Sequence, residues 1–284
     1  MLEFVGSKTS ADFLLPHEPN PHIAGRDRKL SERFLTPHLR EIESFLLYLR
    51  GEIDRELSRE KPLKNGKPYP LGQCLEIILA MQSKLRNAGK LPIKGALAIG
   101  RSSISKFVNA GGIFRQVWGD LRGEFFQNAF QLGAYYVDVS NDTVTITKPK
   151  VEILPFESAQ FSAISDFEHY ARIAKRYWNV EALPNYFFPH LAPYAPILFV
   201  LPNGQIQLQS TYKYMVGLAI RSGFELSERV LRAGDLGNER LHNCWQLLSR
   251  SFLECQHTLY QGRDLALEYC AQARQQQGKM RVEN

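Results

Sequence analysis

The residue whose type and position most invite chemistry is Cys74. Its segment, PYPLGQCLEIILAMQSKL, carries Cys74, Ile77, Ile78, Met81 and Leu85 at helical spacing, which predicts a helix from about Gly72 to Arg86 with the thiol in its first turn. The positive end of a helix dipole and its free N–H groups stabilise a thiolate, and many catalytic cysteines are activated in this way. On the apolar side of a helix the same residue also serves as a small core hydrophobe. The other cysteines are Cys244, Cys255 and Cys270. No two of the four form a C-x-x-C pair, so the thiol-redox motif and the usual zinc spacings are absent. All four are expected to be reduced, in a cytoplasmic setting.

Three other groups could carry chemistry. Glu239-Arg-Leu-His242 and Glu254-Cys-Gln-His257 have the E-x-x-H spacing with which di-iron carboxylate bundles present ligands. On one continuous helix the two motifs would stand about 22 Å apart at 1.5 Å per residue, too far to share a metal pair. No metal and no cofactor is therefore expected, and a helical di-metal oxygenase is a second alternative. Glu168-His169 could supply acid–base chemistry or simply sit on a helix surface. The loop LPNYFFPHLAPYAP holds aromatics between prolines, which suits either the wall of a ligand pocket or the filling of a seam between elements.

The elements that must position these residues read as follows. Residues 1–28 are aperiodic and predict an extended arm. Apolar residues recurring from Leu39 to Leu57 predict an amphipathic helix starting near Pro37, followed by the loop KPLKNGKPYPLG and then the Cys74 helix. After a Gly-rich connection, IFRQVWGDL, EFFQNAFQLG, AYYVDVS and TVTITKPKVEILPF predict a meander of about four strands. A helix is expected over Ala159–Trp178, and Asn203-Gly204 between apolar segments predicts a hairpin. Helices are expected from about Thr211 onward, including one continuous stretch from Glu239 to Tyr260. The fold class is thus α+β, with an antiparallel sheet of about four to six strands flanked by helices and a helix-rich C-terminal part. The divisions are 1–28, 29–157 and 158–284, the last two being either separate parts or one continuous domain.

The chain carries a net charge of +6, but its acidic and basic residues interleave, as in LREIESFLLYLRGEIDRELSREK. Nucleic acid is not expected as a partner, because electrostatic affinity needs clustered phosphate contacts. No segment approaches the roughly 18 uncharged apolar residues of a membrane-spanning helix, and no signal peptide is expected. Nothing matches a dinucleotide-binding G-x-G-x-x-G or a phosphate-binding G-x-x-x-x-G-K loop.

The order of helix-initial Cys74, the strand FFQNAFQLG and the strand YYVDVSND resembles the papain-like cysteine folds, in particular the transglutaminase-like superfamily. There a helix-initial Cys precedes a strand beginning His-Ala-aromatic, a glycine turn and a strand ending in Asp. The resemblance spans about Pro70 to Asp142, and its alignment puts Asn128 at the histidine position and Asp138 at the aspartate position. It implies Cys74 as nucleophile, Asp138 as orienting acid, Asn128 as a polar residue in place of the base, and backbone N–H groups at Cys74, with Gln73, stabilising an oxyanion. Asparagine cannot act as a base at neutral pH. The sequence therefore leaves open a non-catalytic relative, a histidine (His17, His22, His169 or His190) entering from elsewhere, or a cysteine activated by its helix terminus alone. Whether the chain is an enzyme also stays open; if it is, the resemblance implies a hydrolase or acyl transferase acting on an amide or thioester group of a peptide or protein. The alternative from another class is a non-catalytic protein-interaction module. The site requires Cys74 within about 8 Å of Asn128 or Asp138, since hydrogen-bond reach is near 3 Å.

Overall fold

Apolar residues at helical spacing build α1 (Gly25–Phe34) and α2 (Leu39–Glu60). Pro37 does not open the long helix but sits in a separate 3-10 turn, Thr36–His38, between the two. The computed structural model describes residues 14–209, 213–252 and 257–282; much of the expected extended arm lies outside them, while its last residues already belong to α1. The chain is α+β and divides into two compact units, Met1–Ala163 and Ile164–Asn284.

In the first unit a short hairpin, β1 (Leu63–Lys64) and β2 (Lys67–Pro68), follows α2. Asn65 and Gly66 make its turn, both at positive φ as such tight hairpins require. Then comes α3 (Cys74–Asn87), as the spacing predicts, and, where the sequence predicts a Gly-rich connection, a helix instead, α4 (Gly95–Asn109). Helices α2 and α4 meet so closely that a Cβ on Gly100 would lie 2.1 Å from the Glu41 carbonyl oxygen, so only glycine fits there.

The sheet follows as β3 (Phe114–Leu121), β4 (Phe125–Leu132), β5 (Tyr135–Asp138), β6 (Glu152–Pro155) and β7 (Phe161–Ser162). It is antiparallel and curled, in the order β6-β5-β4-β3-β7. The TVTIT segment is not a strand; Asn141–Thr143 form a 3-10 turn. The pleat gives the sheet two faces. One packs Phe114, Phe130, Leu132, Val137 and Val139 against Ile42, Phe45, Leu46 and Leu49 of α2 and Ile77, Ile78 and Met81 of α3. The other buries Val117, Leu121, Ala129 and Tyr136 under Phe156, Ala159 and Phe161. Each fully buried apolar side chain of this size contributes about 1.5–3 kcal/mol, so both faces fix the register of the strands.

In the second unit, α5 (Phe167–Trp178) starts later than expected, capped by the Asp166 side chain on the His169 N–H. A three-stranded antiparallel sheet has the order β10-β9-β8, from β8 (Glu181–Pro184), β9 (Ile197–Val200) and β10 (Ile206–Leu208). The expected hairpin at Asn203-Gly204 joins β9 to β10, whereas β8 went unread. Four helices follow: α6 (Lys213–Arg221), α7 (Glu225–Ala233), α8 (Glu239–Ser251) and α9 (Leu259–Val282). The stretch expected as one helix from Glu239 to Tyr260 is broken, since α8 ends at Ser251 and α9 begins at Leu259. No helix among the described residues is long and apolar enough to cross a membrane.

Candidate functional site

Cys74 is the first residue of α3. The helix start is pinned by the Gly72 N–H donating to the Thr143 carbonyl (2.9 Å) and the Gln73 N–H donating to the Pro70 carbonyl (3.0 Å). This brings the thiol to the sheet, where Asn128 Nδ2 donates to Cys74 Sγ at 3.6 Å. Behind it the Asn128 carboxamide oxygen accepts from Gln116 Nε2 (2.9 Å), and the Gln116 oxygen accepts from Gln82 Nε2 (3.0 Å). Three carboxamides thus run from half-exposed Gln82 on α3 across β3 and β4, all donating towards one sulfur. Among the described residues Asn128 is the sole hydrogen-bond partner of the Cys74 thiol, and no imidazole meets it.

The thiol is not activated. Burial pushes it above its ordinary value, the bonds from Asn128 pull the other way without prevailing, and the negative charge of Asp138 pushes it further up. The helix N-terminus was expected to lower it, and the positive charge of Lys64 does pull it down, but burial outweighs that pull. Among the described residues, then, the half-buried thiol meets a carboxamide donor and no base.

Asp138 is not brought to Cys74 or to the Asn128 side chain. Strand pairing sets Phe130 opposite Val137, so Asn128 and Val137 share the face turned to α2 and α3. Asp138 lies on the opposite face with Tyr136, one residue out of phase for a role as orienting acid. There its carboxylate is fully buried and accepts from Gln127 Nε2 (2.7 Å), the Tyr136 hydroxyl (3.0 Å), and the Ser140 N–H (2.7 Å) and hydroxyl (3.1 Å). Burial pushes its pKa up to about 6, the four donors offsetting only part of the cost.

The carboxamide of Gln73 is also engaged elsewhere. Its Nε2 donates to the Lys61 carbonyl at 2.8 Å, so its side chain does not supply an oxyanion donor. The residues that sequence reasoning missed are Gln82 and Gln116. Gln116 faces the helices because β3 places it opposite Phe130, and only the register reveals that.

The remaining candidates take structural positions. His169 Nδ1 lies 3.3 Å from the Ser165 N–H and hydroxyl. His242 Nε2 lies 2.9 Å from the Leu236 carbonyl oxygen, and His257 Nε2 lies 2.7 Å from that of Tyr186. Glu254 of the second E-x-x-H sequence lies outside the described residues. In the aromatic loop Tyr186 and Phe187 are buried within the second unit, and the Tyr186 hydroxyl donates to the Leu231 carbonyl. Comparison with protein-family models, with curated proteins and with solved structures found no match for this chain.

Proposed function

We propose that this chain is a cysteine-fold protein that binds an amide or thioester group of a peptide or protein at the Cys74–Asn128 pair without turning it over. The observation that supports this is the Asn128 Nδ2 to Cys74 Sγ contact of 3.6 Å, backed by Gln116 and Gln82. A carboxamide nitrogen carries two hydrogens, so Asn128 can hold Sγ with one and offer the other to an incoming carbonyl oxygen. The thiol hydrogen is a weak donor to the same oxygen. Turnover would need a thiolate and a proton carrier, and both are missing among the described residues around Cys74. In this reading the partner is a peptide or protein rather than nucleic acid, and the thiols remain reduced in the cytoplasm.

The test is a titration with a doubly blocked glutaminyl tripeptide, following the side-chain amide signals of Asn128 and Gln116 by NMR, beside alkylation of Cys74 as a function of pH. The expected outcome is saturable shifts at both amides, no released product, and a thiol pKa above the ordinary 8.5 or so. Absent shifts defeat the binding half of the proposal. A thiol titrating well below that value, or any turnover of the peptide, defeats the non-catalytic half.

A further inference from the structure

Away from the Cys74 site, α2 and α3 enclose a groove of about 510 Å³, within the range of ligand-binding clefts. Its floor is apolar, formed by Leu49, Leu57, Ala80 and Leu91, with the half-exposed ring of Tyr48 at one end. Its α2 rim carries Glu52, Glu56 and Glu60, which recur every fourth residue and therefore form one stripe. From Tyr48 to Glu60 the groove runs about 18 Å at 1.5 Å per residue. That is the length over which a helix presents side chains at i, i+4, i+7 and i+11, the anchors of helix-in-groove recognition.

The charges on the rim specify the occupant. Glu60 has no ion pair among the described residues, Glu52 is paired only with exposed Arg55, and Lys84 reaches from α3 to Glu56. Exposed pairs of this kind are weak and easily exchanged. We infer that the groove docks an amphipathic helix of a partner protein, its apolar stripe on the Leu49–Leu57–Ala80–Leu91 floor and its lysine- or arginine-bearing flank against the glutamate stripe. The site shares no residue with the Cys74–Asn128 pair, so either can fail alone.

The probe is a synthetic helical peptide of about 18 residues, with leucine at anchor spacing, lysine along one flank and alanine or glutamine elsewhere. Fluorescence anisotropy is expected to show saturable, salt-sensitive binding to the full chain. The triple variant E52K/E56K/E60K should bind it about tenfold more weakly, and a peptide with glutamate in place of lysine should regain affinity for that variant. Because the substituted side chains line an open rim, the melting temperature should be preserved. Ala80→Gln, which narrows the floor, should weaken both pairings. The inference is overturned if the native chain does not bind the lysine peptide, or if charge swapping fails to rescue the variant. It is equally overturned if sedimentation shows a dimer that the triple variant dissolves, which would give the groove to a second copy of the chain.

Discussion

Two carboxylates buried in the first unit, Asp142 and Asp138, are four residues apart and held in opposite ways. Asp142 accepts from both terminal nitrogens of fully buried Arg50, at 2.8 and 3.0 Å, while Arg50 Nε donates to Asp54 at 2.8 Å. Among the described residues Asp138 pairs with no cation; a carboxamide, a phenol, a hydroxyl and a backbone N–H surround it. Burial works against charge in both places. Around Arg50 the ion pairs prevail: the guanidinium is held above its ordinary pKa, and Asp54, despite its burial, lies below its own, through Lys150, Tyr69 and Arg50. Around Asp138 the dipoles do not prevail, and the carboxyl group is raised to about 6. Matched full charges hold the Asp54 carboxyl below its ordinary pKa, whereas a shell of neutral donors leaves that of Asp138 above its own.

The comparison breaks first at Asp142. Asp142→Ala leaves a guanidinium buried with its two terminal nitrogens stripped of their carboxylate, which should lower the unfolding free energy by about 3–5 kcal/mol. Urea denaturation at neutral pH measures it. A loss of under about 1 kcal/mol, the range of exposed pairs, would mean that Arg50 escapes to water and that the contrast with Asp138 is not one of burial.

Asp138 gives the next largest effect, and its sign is opposite to that of an ordinary paired carboxylate. Its folded pKa, about 6, lies above the unfolded value near 3.9. Between those limits the native chain binds a proton that the unfolded chain does not, so this group's contribution to stability falls as pH rises from about 4 to 6 and stays low above. Two units correspond to about 3 kcal/mol at 1.36 kcal/mol each. Asp138→Asn should remove that slope, and the Gln127 amide can turn to match it, since its Oε1 is buried with no partner. Stability measured from pH 4 to 7 for both chains checks it; parallel curves would show that Asp138 keeps its ordinary pKa when folded. Asp54 has the reverse sign and loses its contribution as pH falls, which is why the difference between the two chains is the quantity to read.

The same contrast marks how far the sequence could be read. The start of α3, the order of strands β3 to β6 and the hairpin at Asn203-Gly204 were legible because apolar spacing and turn residues specify them locally. Helix α4 was not, because two of the four residues on its buried stripe, Gly100, Ser103, Ile104 and Phe107, are not apolar. The expected strand at TVTIT gave way to a turn in which Asp142 meets Arg50, a partner 92 residues away in sequence. For the site, the resemblance and its alignment implied that Asn128 would meet Cys74, as it does, but they also implied Asp138 beside them, and its face was not legible. A side-chain period of two makes a one-residue offset enough to send an acid through the sheet.

The smallest effect is expected at Asn128, and it bears on the site most directly. Asn128→Ala removes the donor to Cys74 and leaves the Gln116 amide aimed at nothing, at a cost of about 1–3 kcal/mol for an unsatisfied buried group. The loss should be smaller than at Asp142, because a carboxamide left alone costs less to bury than a charge. The thiol should respond too. The Asn128 side chain, with its own backbone and the charge of Lys64, pulls the thiol pKa down, so in the variant, which loses the side-chain bond, the midpoint of alkylation against pH should move higher still, even if the opened space speeds reagent entry. A midpoint that falls would mean that Asn128 acts on the thiol by keeping it buried and not by hydrogen bonding. In that case the carboxamide chain would be packing around an inert cysteine, and the case for a carbonyl-binding pair would rest on nothing.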